Sequence, residues 1–137
     1  MKYISTRDNT KEYNFEQVFI KGLADDGGLY VPKTLKKFSA EELIKLKNLN
    51  YNALSAEIIS LFSEDFISKE ELLSLINKSY STFREKEVVK ISNVGEIKLL
   101  ELFHGPTLAF KDVAMQFIGN LYEYYLSKNN KKINIVV

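Results

Sequence analysis

The chain has 137 residues, 45% of them hydrophobic and 27% charged, which is the ordinary composition of about one soluble globular domain. A formal net charge of +1 provides no long-range field for nucleic acid or an anionic membrane, so we expect neither as a partner. The absence of cysteine excludes disulfides, thiolate chemistry and cysteine metal sites, and the absence of a signal peptide or of an apolar run of about 18 residues predicts a cytoplasmic protein.

The amino-terminal part is predicted to contain a short strand and one helix. Residues 2–6 have the composition of the strand. Asn14 is the predicted N-cap of the helix, because Gln17 stands three residues later in the capping-box pattern. Gly22 is the predicted end of the helix.

A turn is predicted at Asp25–Gly28, before an extended segment over 29–32. A glycine pair beside carboxylates could bind a phosphate or a metal. A tight turn with positive φ at glycine is the favoured interpretation. The spacing fits neither the dinucleotide nor the Walker phosphate loop.

Residues 38–80 are predicted to form three helices. Ser39 with Glu42, and Ser68 with Glu71, have the capping-box spacing at the starts of the first and third. Between them, apolar residues fall on one helix face, namely Leu54, Ile58, Leu61 and Phe62. We interpret these helices as packing elements rather than as an interaction surface.

A β-hairpin is predicted next. Its strands are the apolar, β-branched runs 88–91 and 97–103, and the turn between them contains Asn93 and Gly95. The second strand leads into a loop with a Gly-Pro step followed by a lysine. This loop is the part of the sequence that calls for a chemical explanation.

A long helix and a last strand follow the loop. Apolar residues recur at helical spacing from Val113 to Tyr125, and a polar break precedes a buried-type strand over 133–137. Strand, crossover helix and strand make a βαβ unit, which predicts the beginning of a parallel sheet. Ligands of such sheets bind at the carboxyl ends of strands, so residue 137 lies where a binding loop would follow.

Lys111 stands at the start of the long helix and is the candidate catalytic residue. An amine there faces the positive end of the helix dipole, and its position after Phe110 predicts partial desolvation. Both effects lower the pKa of an amine, which favours a Schiff base with a carbonyl compound such as the aldehyde of pyridoxal phosphate. The competing interpretation is an ordinary surface lysine.

The nine residues His104–Asp112 resemble the lysine motif of the threonine synthases, pyridoxal-phosphate enzymes that convert O-phospho-L-homoserine and water to L-threonine and phosphate. A second block resembles the amino-terminal signature of the same family, in the segments Tyr3–Arg7, Phe15–Val18 and Gly22–Pro32. Both blocks stand in the family's order and at about its spacing, so the resemblance covers nearly the whole chain. The family's proteins run to several hundred residues, however.

The resemblance implies an α/β fold: an amino-terminal helical arm with short strands, then the start of a parallel-sheet cofactor domain of fold type II, the tryptophan synthase β-like class. We expect an amino-terminal threonine-synthase domain over residues 1–86 and the truncated first part of the cofactor-binding domain over 87–137. In the family a Ser/Thr/Gly/Asp-rich loop that binds the cofactor phosphate comes next. The chain is therefore expected to be an amino-terminal portion that carries the lysine, lacks most of the pocket and is inactive alone.

The resemblance also implies roles for individual residues. Lys111 would hold pyridoxal 5'-phosphate and then move protons at the α and β carbons of the substrate. His104 and Thr107 would line the substrate site, although a loop imidazole bonded to backbone is the competing interpretation of His104. Phe110 would pack near the cofactor, though core filling explains it equally well. Asp112 would cap the helix, with its carboxylate at the positive end of the helix dipole.

Two other functions stay open at this point. A sister phospho-amino-acid lyase, which eliminates phosphate without adding water, would share every motif and differ in its product. A truncated chain could instead be a non-catalytic folding or interaction module that acts through its helical arm. We expect a phosphorylated amino acid as substrate, no metal, and a monomer or a homodimer, the latter through an exposed sheet edge.

Overall fold

The computed structural model describes residues 1–134. Their contacts divide the chain into two units, Met1–Leu73 and Ser74–Val137. Each unit contains one two-stranded antiparallel sheet within the described residues. In that part of the chain, no helix has both the length and the apolar character needed to cross a membrane.

The first unit begins with elements β1, α1 and β2, which span Tyr3–Ser5, Phe15–Lys21 and Tyr30–Pro32. The two strands pair antiparallel, with Ile4 opposite Val31. The predicted capping box is confirmed, since the Asn14 side chain accepts a hydrogen bond from the Gln17 N–H and the Gln17 side chain accepts one from the Asn14 N–H. The helix ends at Gly22, as predicted, with a φ of 74° that glycine adopts without strain.

The predicted tight turn before β2 is also confirmed. Gly27 has a φ of 75°. The Asp26 carboxylate accepts hydrogen bonds from the Ser5 hydroxyl and the Gly28 N–H, both at 2.8 Å. A Cβ at Gly28 would lie 2.9 Å from Asp26 Oδ1 and closer still to Ser5 Oγ. The turn thus requires glycine and is bonded directly to β1.

Helices α2, α3 and α4 span Ala40–Lys47, Tyr51–Ser63 and Lys69–Tyr80. The prediction of three helices in this region is confirmed. Ser39 and Glu42 exchange the two capping-box hydrogen bonds at the start of α2. Ser68 and Glu71 do the same at the start of α4. Each helix therefore begins where a local side-chain acceptor satisfies its first backbone N–H groups.

The first unit packs around aromatic rings of α1. Phe15 and Phe19 stack with centroids 5.6 Å apart, and Phe66 lies 5.3 Å from Phe15. Tyr3 is buried beside Phe15 and donates its hydroxyl to the Phe62 carbonyl at 2.8 Å. Rings on α1, β1 and the segment before α4 thus form one aromatic cluster, in which Tyr3 is buried and the phenylalanines are half-buried.

The second unit contains the predicted hairpin, with β3 at Lys90–Val94 and β4 at Ile97–Glu101. The strand bounds predicted at 88–91 were wrong for the first strand, which starts and ends later. Val88 is buried and has a φ of 61°, a conformation that a strand cannot contain. The turn falls at residues 95–96, where Gly95 has a φ of 62°.

Helix α5 spans Asp112–Asn129 and buries Phe117, Leu121 and Tyr125, in agreement with the predicted apolar face. Tyr80 donates its hydroxyl to the carbonyl of Val113 at 2.9 Å. The strand predicted over 133–137 falls mainly on residues that lie outside the described chain. Both described sheets are antiparallel, and the parallel pairing stays a prediction.

Candidate functional site

The loop over residues 102–111 joins β4 to α5, as the sequence predicts. Leu108 has a φ of 63°, and its N–H donates to the Gly105 carbonyl at 3.2 Å. A left-handed leucine is uncommon and costs conformational energy, so the surrounding contacts must hold it there. The loop therefore has a defined conformation that its contacts maintain.

The Asp112 carboxylate provides those contacts. Asp112 is only 3% exposed, and it accepts hydrogen bonds from the Thr107 N–H at 2.8 Å and the Thr107 hydroxyl at 2.9 Å. Gln116 donates a third, longer bond at 3.3 Å. A Cβ at Gly105 would lie 2.7 Å from Cγ of Asp112 and closer still to its Cβ. The prediction that Asp112 caps the helix is wrong, since Asp112 is the first residue of the helix, the cap position is Lys111, and no side-chain capping hydrogen bond forms there. The Asp112 carboxylate instead fastens the loop to the first turn.

Asp112 remains ionised despite its burial. Desolvation by itself would raise the pKa of this carboxyl. The hydrogen bonds from the Thr107 N–H, the Thr107 hydroxyl and Gln116 outweigh it, so the pKa of Asp112 lies below its ordinary value. The loop is thus held by a charged acceptor, which makes stronger hydrogen bonds than a neutral one.

Lys111 is the residue immediately before α5 and has an exposed side chain. The prediction that Lys111 is partly desolvated is wrong for this chain, because no described residue covers it. Within residues 1–134 its amine makes no ion pair and no hydrogen bond. Lys111 borders an open apolar groove of about 330 Å³ whose other lining residues are Leu102, Phe110, Val113, Ala114 and Met115.

Phe110 is 65% exposed and lines this groove. An amine beside apolar walls suits a planar aromatic ring that carries an aldehyde. The described lining contains no hydroxyl side chain and no glycine that could bind a phosphate. The residues present thus fit the ring end of pyridoxal phosphate, and they offer no cradle for its phosphate end.

His104 is bonded to a carboxylate rather than to backbone through its ring. Its Nε2 lies 2.7 Å from Oε2 of Glu101, and the two side chains are 14% and 18% exposed. The Ser92 hydroxyl donates to the other carboxylate oxygen of Glu101. The Ser92 bond and then the His104 bond lower the pKa of Glu101 below its ordinary value. Glu101 was not among the site residues predicted from the sequence, although an acid at the end of an apolar strand and three residues before a histidine is a usable signal.

The predicted site residues thus fall into three local arrangements of the second unit. Lys111 and Phe110 share the groove, Thr107 is bound to Asp112, and His104 is bound to Glu101. No group of three or more His, Asp or Glu among the described residues has an arrangement that could hold a metal ion.

Comparison with known proteins places these features in a family. Residues 2–80 match the family model described as threonine synthase N terminus. The threonine synthase of Schizosaccharomyces pombe is 40% identical over 132 residues, which are 95% of this chain and 26% of that protein.

Two solved structures are also similar. The PLP-bound threonine synthase of Brucella melitensis superposes with a TM-score of 0.91 at 35% identity, over 96% of this chain and 29% of that one. The yeast threonine synthase superposes with a TM-score of 0.88 at 42% identity, over 94% of this chain and 27% of that one. The chain therefore has the mixed helix and short-strand fold of one region of these enzymes, and it spans between a quarter and a third of their length.

Proposed function

Since the chain belongs to the threonine synthase amino-terminal family, we propose that it forms the first part of a threonine synthase that uses pyridoxal phosphate. The reaction would convert O-phospho-L-homoserine and water to L-threonine and phosphate. The observation that carries the proposal is the exposed amine of Lys111 beside an apolar groove, on a loop held by the buried Asp112. We infer further that residues 1–86 form the amino-terminal domain and that residues 87–137 begin the cofactor domain.

Each side chain of the loop would have a distinct task. When bound, pyridoxal phosphate would supply an electron sink for carbanion chemistry. Lys111 would hold the cofactor and then carry protons to and from the α and β carbons of the substrate. Leu102 and Phe110 would shield the reacting groups from water.

His104 and Thr107 would contact the substrate. The Thr107 hydroxyl already donates its hydrogen to Asp112, so it can only accept a further hydrogen bond, for example from an ammonium group. Asp112 would act through Thr107 by keeping the loop in place. These assignments predict that the loop is pre-shaped before any ligand binds.

The chain contains part of the apolar wall and the lysine, so its own affinity for the cofactor should be low. The experiment is reductive trapping: add pyridoxal phosphate, reduce with borohydride, digest, and map the labelled lysines. It is carried out on this chain and on the full reading frame that encodes it. We expect label confined to Lys111 in the full frame and spread over many lysines in the 137-residue chain.

Two variants control this measurement. Lys111→Arg should abolish the specific label, whereas Lys98→Arg, at an exposed lysine of β4, should leave it unchanged. Absence of label from Lys111 in the full frame would contradict the cofactor assignment, and a non-catalytic module would then be favoured. If Lys111 is labelled, product analysis with O-phospho-L-homoserine decides between a synthase, which forms threonine, and a sister lyase, which adds no water.

A further inference from the structure

The side chains of Ser92, Glu101 and His104 form a hydrogen-bonded chain, and the proposed function gives a task to His104 but none to Ser92 or Glu101. Ser92 lies on β3 and Glu101 is the last residue of β4. The Ser92 hydroxyl donates to Oε1 of Glu101, and Nε2 of His104 lies 2.7 Å from Oε2. Both carboxylate oxygens of Glu101 are thus engaged, one by the hairpin and one by the loop.

This arrangement determines where His104 carries its hydrogen. Glu101 faces Lys90 across the hairpin, and the bonds from Ser92 and His104 favour its ionised form. An ionised carboxylate can only accept hydrogen bonds, so Nε2 must be the protonated nitrogen of a neutral imidazole. The lone pair is then on Nδ1.

Nδ1 of His104 has no hydrogen-bond partner among the described residues. The other contacts of His104 are the ring of Phe103, with centroids 4.7 Å apart, and the Arg84 N–H, which donates to the His104 carbonyl at 2.8 Å. A carboxylate that orients an imidazole and leaves its second nitrogen available is a general arrangement for a proton-accepting histidine.

We propose that Glu101, held by Ser92, is a positioning residue that fixes His104 as an acceptor, through Nδ1, for a ligand with an N–H or O–H donor. The ammonium group of an amino-acid substrate has this chemistry. The identity of the ligand rests on the proposed function, whereas the tautomer of His104 does not. Glu101 and Ser92 act through His104 and do not touch the ligand themselves.

The test uses the fact that His104 is the only histidine in the sequence. Nitrogen-15 NMR of the imidazole therefore reports the tautomer of this residue alone. In the unmodified 137-residue chain, at a pH where the ring is neutral, we expect the tautomer with hydrogen on Nε2. A predominance of hydrogen on Nδ1 would overturn the proposal without any variant being needed.

Glu101→Gln provides the decisive comparison. The amide can donate as well as accept, so the constraint on His104 is lost and we expect a mixture of tautomers. Glu96→Gln, in the exposed turn of the same hairpin, should leave the spectrum unchanged. Ser92→Ala keeps both partners of the pair and should shift the tautomers in the same direction but less. If Glu101→Gln and Ser92→Ala both match the unmodified chain, the proposal is wrong.

Kinetics of the full reading frame separate positioning from simple stabilisation. We expect Glu101→Gln to lower kcat/KM by roughly tenfold to a hundredfold, because the hydrogen bond that His104 accepts from the ligand is weakened. In a chain that already carries His104→Ala, Glu101→Gln should cause no further loss of activity, because Glu101 acts only through the His104 ring. Additive losses would overturn the proposal.

The two proposals fail separately. Label on Lys111 in reductive trapping does not depend on the tautomer of His104. A missing label with the expected tautomer would therefore contradict the cofactor assignment alone. A normal label with an unconstrained tautomer would contradict the role of Glu101 alone.

Discussion

The turn before β2 and the loop before α5 are held by the same kind of contact, but they lead to different surroundings. In each, an aspartate carboxylate accepts one backbone N–H and one hydroxyl, from Gly28 and Ser5 at Asp26, and from Thr107 at Asp112. Each carboxylate also lies where a glycine leaves no room for a Cβ, and Gly105 is that glycine in the loop.

The surroundings of the two carboxylates differ. At the turn, the Arg7 guanidinium donates to the Asp26 carbonyl at 3.0 Å, and the backbone continues into β2. At the loop, the held backbone ends in Lys111, whose amine stands exposed beside an apolar groove. The same kind of contact thus closes a chain reversal in the first unit and precedes an exposed lysine in the second.

The largest loss of stability, and with it of label on Lys111, is expected from Gly105→Ala. The added Cβ would meet the base of the Asp112 side chain, which cannot move aside without moving α5. Overpacking of this kind costs about 1–3 kcal/mol of unfolding free energy. Urea unfolding measures it, and trapping in the full reading frame should show reduced label on Lys111.

Gly119→Ala is the matched control for that variant. Gly119 lies in α5, and no atom of the described residues outside the helix's own backbone lies within 4 Å of a Cβ added there. Because alanine favours helix, the change should be neutral or stabilise by up to about 1 kcal/mol. Equal behaviour of the two alanine variants would show that Gly105 is not required by contact with Asp112.

A smaller effect is expected from Thr107→Val, which removes the hydroxyl donor to Asp112 and keeps the shape of the side chain and the backbone donor. The loop should loosen, so label on Lys111 in the full reading frame should fall. Ser5→Ala removes the matching bond to Asp26 in the first unit and should leave the label unchanged. A similar fall in label on Lys111 in both variants would mean that the contacts of Asp26 and Asp112 do not act independently.

The smallest effect is expected on the pH dependence of the unfolding free energy. The pKa of Asp26 is lowered by the Gly28 N–H and the Ser5 hydroxyl, and that of Asp112 is lowered because its hydrogen bonds outweigh desolvation. A carboxyl with a lower pKa in the folded state stabilises fully above its unfolded pKa of about 4, and this contribution is lost as pH falls through the folded value. Urea unfolding between pH 6 and pH 3 should therefore show a shallower loss of stability for Asp112→Asn and for Asp26→Asn than for the unmodified chain. An unchanged slope in both would contradict the hydrogen-bond argument.

Features set by neighbours a few residues apart could be predicted well. The capping boxes at Asn14 and Ser39, and the glycine turn at Gly27, each depend on side chains and backbone groups within one turn. The amino-terminal signature and the nine-residue lysine motif also indicated the family correctly. By contrast, the strand predicted to include Val88 starts two residues later, because Val88 has a positive φ, which a strand does not contain.

The sequence by itself therefore determined the helices, the hairpin, the family and the position of Lys111 at the start of α5. Only the tertiary structure decided which side chains meet and which are covered. The register of β3 against β4 brings Ser92 to Glu101, and the path of the loop brings His104 to the same carboxylate. The exposure of Lys111 was also decided by the tertiary structure. Burial of a side chain depends on atoms from distant segments rather than on the residues beside it in the chain.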